Sequence, residues 1–354
     1  MISKYHDITR DIRQGIMTGK WKPRQQLPTR EELITEYGTS RATMQKTINT
    51  LLREGFLYTN NKTGTFVADR PPNLYSVAIV FPVNESNVNF TDALWDGIIR
   101  QHNYLEEHLG YRLIFSRLYS YDIEHEDFQR IINDAEELRI AGIIFADKPP
   151  EAAIHALRKL QVPRVLLYGE EVSGLNNVNV DYYEFYRQAV QHLHSCNCKR
   201  VGLIVNTEMP PRYIAPARLL ADDLGILMPR KWEISISFRH SPEYWVRNIV
   251  KLWFTSSSKT ERPDGLIVGN ENLLEYVVDA LKYENIKPEQ DVKLVSHANF
   301  PINRPKPCQL QRIGFDVRNI IENCLLVLKE SGYDNLPLPV KMVPPVIEQD
   351  SPFA

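Results

Sequence analysis

Four cysteines in 354 residues are too few for a disulfide framework, so nothing in the chain calls for an oxidising compartment. Long apolar runs are missing too. No stretch of about 18 apolar residues occurs, so no transmembrane helix is expected. The opening MISKYHDITRDIRQG has neither an apolar core nor a small-residue cleavage site, which argues against a secretory signal. A cytoplasmic protein without membrane contact is the expectation. Catalytic signatures are equally scarce. There is no nucleophile elbow, no P-loop and no dinucleotide glycine pattern, so the sequence points to no enzyme, no catalytic residue and no cofactor. A strong net charge is also lacking, since 42 Lys and Arg against 44 Asp and Glu leave −2.

What is present is unevenly arranged. Residues 1–70 hold twelve Lys or Arg and seven Asp or Glu, a net +5, against −7 for the remainder. A basic head on an acidic body is the asymmetry that nucleic-acid binding needs. Length suggests two or three domains, at ~150 residues each.

The head has helical spacing. Ile8, Ile12 and Ile16 recur every four residues and form one stripe. Thr29 and Glu32 have the spacing of a capping box, Leu33, Ile34 and Tyr37 supply an apolar side, and Gly38 is placed to stop the helix. Ser40 is a candidate N-cap for a third helix, whose Met44, Ile48, Leu51 and Leu52 face inward. Its outward side carries Arg41, Thr43, Gln45, Lys46 and Asn49, which are side chains able to touch phosphates and base edges. After Gly55, FLYTN, NKTG and TFVAD read as a short hairpin. Three helices and a two-stranded ribbon make a winged helix-turn-helix.

The stretch LPTREELITEYGTSRATMQKTINTLLREGFLYTNNKTGTFV (27–67) resembles the DNA-binding domain of the GntR family. That resemblance implies that the start of the third helix reads bases and that the wing tip enters the minor groove. By position Arg41 and Thr43 match the family pattern, and Arg41 could grip guanine with two hydrogen bonds. Gln45 stands where the family often has a second arginine, which shifts the preferred base towards adenine. Thr29 and Arg30, at the start of the second helix, are further contact candidates, although the order Arg30-Glu31 reverses the usual Glu-Arg. Lys46 adds a phosphate contact. In the wing, Lys62 replaces the usual first glycine, and Thr63 and Gly64 complete the tip. A head this weakly basic should bind loosely alone, so a homodimer on a two-fold double-stranded operator is expected.

The expected division is 1–70 for the head, 71–75 for a linker marked by Pro71 and Pro72, and 76–354 for the body. In the body SVAIVFP, YRLIFSRL, IAGIIFA, PRVLLYG, RVGLIV, DGLIVG and VKLVSH are short buried-strand runs with helical patterns between most of them. Such alternation predicts an α/β fold with parallel sheets, and about ten strands suggest two lobes.

This order is similar to the effector domain of the LacI/GalR family, which is built like a periplasmic sugar-binding protein. IAGIIFA (140–146), VNVDYYEFYRQAVQHL (178–193), PPRYIAPARLLADDLGI (210–226) and RPDGLIVGNENLLEYVVDAL (262–281) carry the likeness. A GntR-type head on a LacI-type body is the arrangement of the arabinose-repressor subgroup. The resemblance implies a cleft that binds a small effector, a sugar by family. It places Arg212 at the sugar-contacting arginine, Asp181 at the aspartate before the crossover helix, Asn270 and Glu271 at an Asn-Asp pair, and Phe90 at a first-loop aromatic. Two departures stand out. Ser296-His297-Ala298-Asn299 replaces a motif with two carboxylates, and Ala215 replaces a glycine. They leave room for another metabolite, such as a purine. An enzyme or a receptor-like protein with an accessory DNA-binding domain is the reading from another class.

HLHSCNC (192–198) offers two histidines and two cysteines, which are ligand types for a metal. His192 and His194 are two apart, however, and point to different sides of a helix. No metal site is expected. The function expected from the whole is ligand-controlled repression of carbohydrate-utilisation genes.

Overall fold

The computed structural model describes residues 4–60, 63–82, 93–118, 124–169, 171–207, 209–237, 240–255, 258, 261–301 and 305–349. In the head, α1 (Lys4–Met17), α2 (Arg30–Tyr37) and α3 (Arg41–Arg53) precede a hairpin of β1 (Leu57–Asn60) and β2 (Gly64–Val67). The isoleucine stripe of α1 is fully buried against Leu33, Met44, Ile48, Leu51 and Phe56. Each such side chain contributes about 1.5–3 kcal/mol by leaving water. Leu52, Ile34 and Tyr37 pack at the edge of this core and are only half-buried. Both expected caps of α2 form. Thr29 and Glu32 make the reciprocal capping box, and Gly38 closes α2 in the left-handed conformation that glycine tolerates. The hairpin is antiparallel, with Leu57 opposite Val67 and Asn60 opposite Gly64.

The expected linker is not an extended tether. Pro72–Tyr75 forms a turn of helix, α4, with Pro at its first position, where a missing N–H costs nothing. Its Asn73 is fully buried.

Beyond it strands and helices alternate. The chain continues through β3 (Ser76–Pro82), α5 (Ala93–Arg100), α6 (His102–Leu109), β4 (Arg112–Leu118), α7 (Glu126–Glu136) and β5 (Gly142–Phe145). Next come α8 (Glu151–Leu157), β6 (Arg164–Leu167), β7 (Asn176–Val180), α9 (Tyr182–Ser195), β8 (Val201–Asn206) and α10 (Pro211–Asp223). Then follow β9 (Glu233–Ile236), α11 (Pro242–Phe254), β10 (Gly265–Val268), α12 (Leu274–Tyr283), β11 (Lys293–Phe300) and β12 (Gln311–Asp316). The last elements are α13 (Val317–Ser331), β13 (Lys341–Val343) and β14 (Val346–Ile347).

These strands form two six-stranded sheets, ordered β13-β7-β6-β5-β3-β4 and β14-β12-β11-β10-β8-β9. In the first sheet β4, β3, β5, β6 and β7 run parallel. In the second, β9, β8, β10, β11 and β12 run parallel and β14 closes the edge antiparallel. Strands such as β5, β6, β8 and β10 are buried along their whole length because helices cover both faces, which is why they read as unbroken apolar runs. The chain divides into two compact units. One comprises residues 1–85, 102–178 and 324–341, so the head shares it with the first sheet; the other comprises 86–101, 179–323 and 342–354. The core of the first sheet gathers Val80, Phe128, Ile143, Phe145 and Leu166. That of the second gathers Ile204, Trp253, Leu266, Val277 and Leu281.

Candidate DNA-binding face and effector residues

The first turn of α3 is set by Ser40, whose hydroxyl accepts from the Thr43 N–H at 3.2 Å. This cap fixes where Arg41 emerges. The Arg41 side chain is 80% exposed, and its guanidinium donates to Glu31 at 3.0 Å across the turn between α2 and α3. An exposed pair of this kind is worth under ~1 kcal/mol. Glu31 therefore holds Arg41 only weakly. One turn on, Gln45 donates to Asn49 at 2.7 Å. Lys46 Nζ lies 4.3 Å from the centre of the Tyr5 ring, and the Tyr5 hydroxyl shares a 2.8 Å hydrogen bond with Thr50. Arg30 is exposed at the start of α2. The Thr29 hydroxyl is engaged in its cap, donating to Glu32 at 2.8 Å, and that bond holds the Glu32 carboxyl below its ordinary pKa.

The wing has a support that the sequence reading did not contain. Residues 24–27 run beside β2. The Leu27 N–H donates to Thr65 O at 2.9 Å and the Val67 N–H to Gln25 O at 2.9 Å. At the tip, Gln26 Nε2 donates to the carbonyl of Thr63 at 2.6 Å. Gly64 has φ +123°, and a Cβ there would stand 2.9 Å from Gln26 Nε2. Thr63 and Gly64 are therefore exposed on a braced tip, while Lys62 lies outside the described residues.

In the body, Asp181, Arg212, Asn270 and Glu271 all lie in the second unit. β8, β10 and β11 are parallel neighbours, so the segments after their C-terminal ends share one edge of the sheet, where open α/β sheets bind ligands. Arg212 is on the first turn of α10, exposed, with its guanidinium carbon 5.0 Å from the centre of the Tyr213 ring. Asp181 caps α9, accepting from the Glu184 N–H at 3.0 Å. Asn270 caps the short turn Glu271–Leu273, accepting from the Asn272 N–H at 2.9 Å. Glu271 reaches the altered segment, where its carboxylate accepts from the backbone N–H of Asn299 at 2.9 Å and from its side chain at 3.0 Å. A carboxylate thus does stand at the end of β11, supplied from the neighbouring turn. Phe90 lies outside the described residues.

Aromatic rings join these positions, and the sequence reading missed them. Tyr182, next to Asp181, lies 5.7 Å from Tyr213, next to Arg212. It also lies 6.2 Å from His297 and 5.5 Å from Phe315. His297 is 7% exposed, and among the described residues neither ring nitrogen has a hydrogen-bond partner. Burial pushes its pKa down to about 4, so the ring is neutral at pH 7. Asn206 ends β8 nearly buried. A polar residue closing an otherwise apolar strand was the available signal for it. The set combines planar hydrogen-bonding groups with aromatic surface, the chemistry that small polyhydroxylated rings require.

His192 and Cys196 approach to 3.6 Å, one helical turn apart, and Cys198 is buried against the carbonyl of Asp264. Among the described residues, no group of three His, Cys, Asp or Glu is placed to hold a metal ion. No helix among them is long and apolar enough to cross a membrane.

Residues 4–67 match the family described as bacterial regulatory proteins, gntR family. Over 351 residues the chain is 22% identical to the arabinose metabolism transcriptional repressor of Halalkalibacterium halodurans, covering 92% of this chain and 90% of that protein. The protein of the same name from Geobacillus stearothermophilus is 22% identical over 315 residues, covering 84% and 83%. Among solved structures, a regulatory protein of the LacI family from Chloroflexus aggregans superposes with a TM-score of 0.60 at 12% identity, over 76% of this chain and 96% of that one. Residues 4–67 are thus a gntR-family helix-turn-helix domain, and the body behind them has the fold of a LacI-family regulator.

Proposed function

We propose that the protein is a sugar-responsive transcriptional repressor that acts in the cytoplasm as a homodimer and is not an enzyme. The observation that carries this reading is the capped, exposed first turn of α3, which presents Arg41, in one chain with a braced hairpin and an effector-type body. Residues 1–70 bind the operator, 71–75 connect, and 76–354 sense the effector and dimerise. Arg41, Thr43 and Gln45 read base edges, Thr29, Arg30 and Lys46 contact the backbone, and Lys62, Thr63 and Gly64 enter the minor groove. Asp181, Arg212, Asn270 and Glu271 hold the effector, with Phe90 as an aromatic neighbour. The names of the full-length relatives favour a sugar over the purine weighed from the sequence, and arabinose is the first to try. Effector binding shifts an equilibrium between DNA-binding and released states, and it can do so only through a difference in affinity for the two.

The test is a thermal-shift screen of the full chain against pentoses, hexoses, sugar acids and nucleobases. A ligand at 100 times its dissociation constant adds ~2.7 kcal/mol to the stability of what it binds. A pentose or hexose hit that also releases the protein from DNA supports the reading. A nucleobase hit with silence from every sugar sinks its sugar half.

A further inference from the structure

Arg13 is the largest fully buried side chain among the described residues, at 1% exposure. It leaves α1 in the head, yet its guanidinium joins two carboxylates from different parts of the fold. Nη2 pairs with Glu54, which caps the C-terminus of α3. Nη1 donates to Glu137 Oε2 at 2.5 Å and to the Glu137 carbonyl at 2.8 Å, at the C-terminal end of α7 beneath the first sheet. The ring of Phe56 lies 5.2 Å from the guanidinium carbon. The backbone is fastened at the same place. Buried Asn73 in α4 donates to the Arg13 carbonyl at 2.8 Å, and its own carbonyl accepts from the Tyr333 hydroxyl at 3.4 Å. Leu74 packs into the head core. All of these residues belong to the first unit.

Arginine does not lose its charge in a protein. Its burial is tolerable only with carboxylates beside it, and lifting the head away from Glu137 would give up one of its two ion pairs. α4 fastens to both sides, through Leu74 in the head core and the bond between Asn73 and Tyr333.

We infer that Arg13 and Glu137 are positioning residues for operator binding: they hold α3 at a fixed attitude on the first effector lobe, so that a displacement of that lobe displaces the reading helix. This rests on the reading of the chain as a dimeric DNA-binding repressor given above. It goes further in naming the joint through which the effector domain acts on the head.

The test uses the full chain and a palindromic duplex enriched by the wild-type protein from a random DNA pool. A second duplex carries about 5 base pairs inserted between half-sites, which turns one of them by about half a helical turn. A third carries one half-site alone. Heads held rigidly cannot engage both rotated sites, so wild-type binding should fall ~100-fold on insertion as avidity is lost. Glu137→Arg, which sets a like charge beside Arg13 but leaves the Arg13–Glu54 pair within the head, should fall less than ~10-fold, with half-site affinity unchanged. Equal losses in both proteins would overturn the inference while leaving the DNA-binding reading intact. If Glu137→Arg also loses half-site binding, Glu137→Gln decides, with intermediate tolerance for the inference and a wild-type profile against it. No duplex enriched by the wild type would overturn the DNA-binding reading, and the positioning role with it.

Discussion

His297 should leave a visible mark on stability. Its ring sits among Tyr182, Phe185 and Phe315, with no partner for either nitrogen among the described residues. The folded pKa of about 4 lies below the ordinary value of 6.5. As pH falls through 6.5 the unfolded chain takes up a proton that the folded chain refuses, so stability is lost progressively down to about 4. A gap of that size corresponds to roughly 3 kcal/mol. Urea unfolding at pH 7 and pH 5 should show a smaller difference for His297→Phe than for the wild type; equal differences would place the acid sensitivity elsewhere. Arg41 makes a different kind of mark. Its contact with Glu31 is solvent-exposed, so Arg41→Ala should leave the melting temperature nearly unchanged. On DNA selected by the wild type, the same change should cost ~1–3 kcal/mol, and should relax the preference at one base. Uniform weakening across all sequences would make Arg41 a phosphate contact.

The caps and stripes of the head are local devices, and they were legible. Thr29, Gly38 and Ser40 act within three or four residues of themselves, so their spacing announces the helix ends. The buried central strands were legible too, because helices on both faces leave no polar alternation. β12 was not. It carries Gln311, a buried Arg312 and Asp316, and reads as a loop until Arg312 is seen against Glu348 and the carbonyl of Pro305. Short β13 and β14 are edge strands with exposed residues, whose pairing depends on chain segments far away in sequence. The brace under the wing is likewise non-local, since Gln26 and Thr63 are 37 residues apart. Gly64→Ala tests that brace. A side chain at φ +123° with Gln26 at 2.9 Å strains the tip by about 1–3 kcal/mol, seen as a lower denaturation midpoint. An unchanged midpoint would show that the tip relaxes freely.

Effector recognition is the property to read in the full-length protein. Arg212→Ala should abolish the ligand response of the DNA complex while DNA affinity without ligand stays at the wild-type level. A retained response would remove Arg212 from the ligand site. Asp181 and Asn270 are harder cases, because each already caps a turn. Variants there must be judged against the loss of a cap, ~1 kcal/mol.

The chain order alone announced a helix-turn-helix ahead of two α/β lobes, because periodicity, caps and turn residues act over a few positions. It could not announce that Pro72–Tyr75 is a packed turn, that Arg13 meets Glu137, or that Glu271 restores a carboxylate beside Asn299. Those pairs are 124 and 28 residues apart in sequence, and no local pattern encodes them. Burial makes the first of them consequential, since a charge withdrawn from water must keep its partners wherever the fold has placed them.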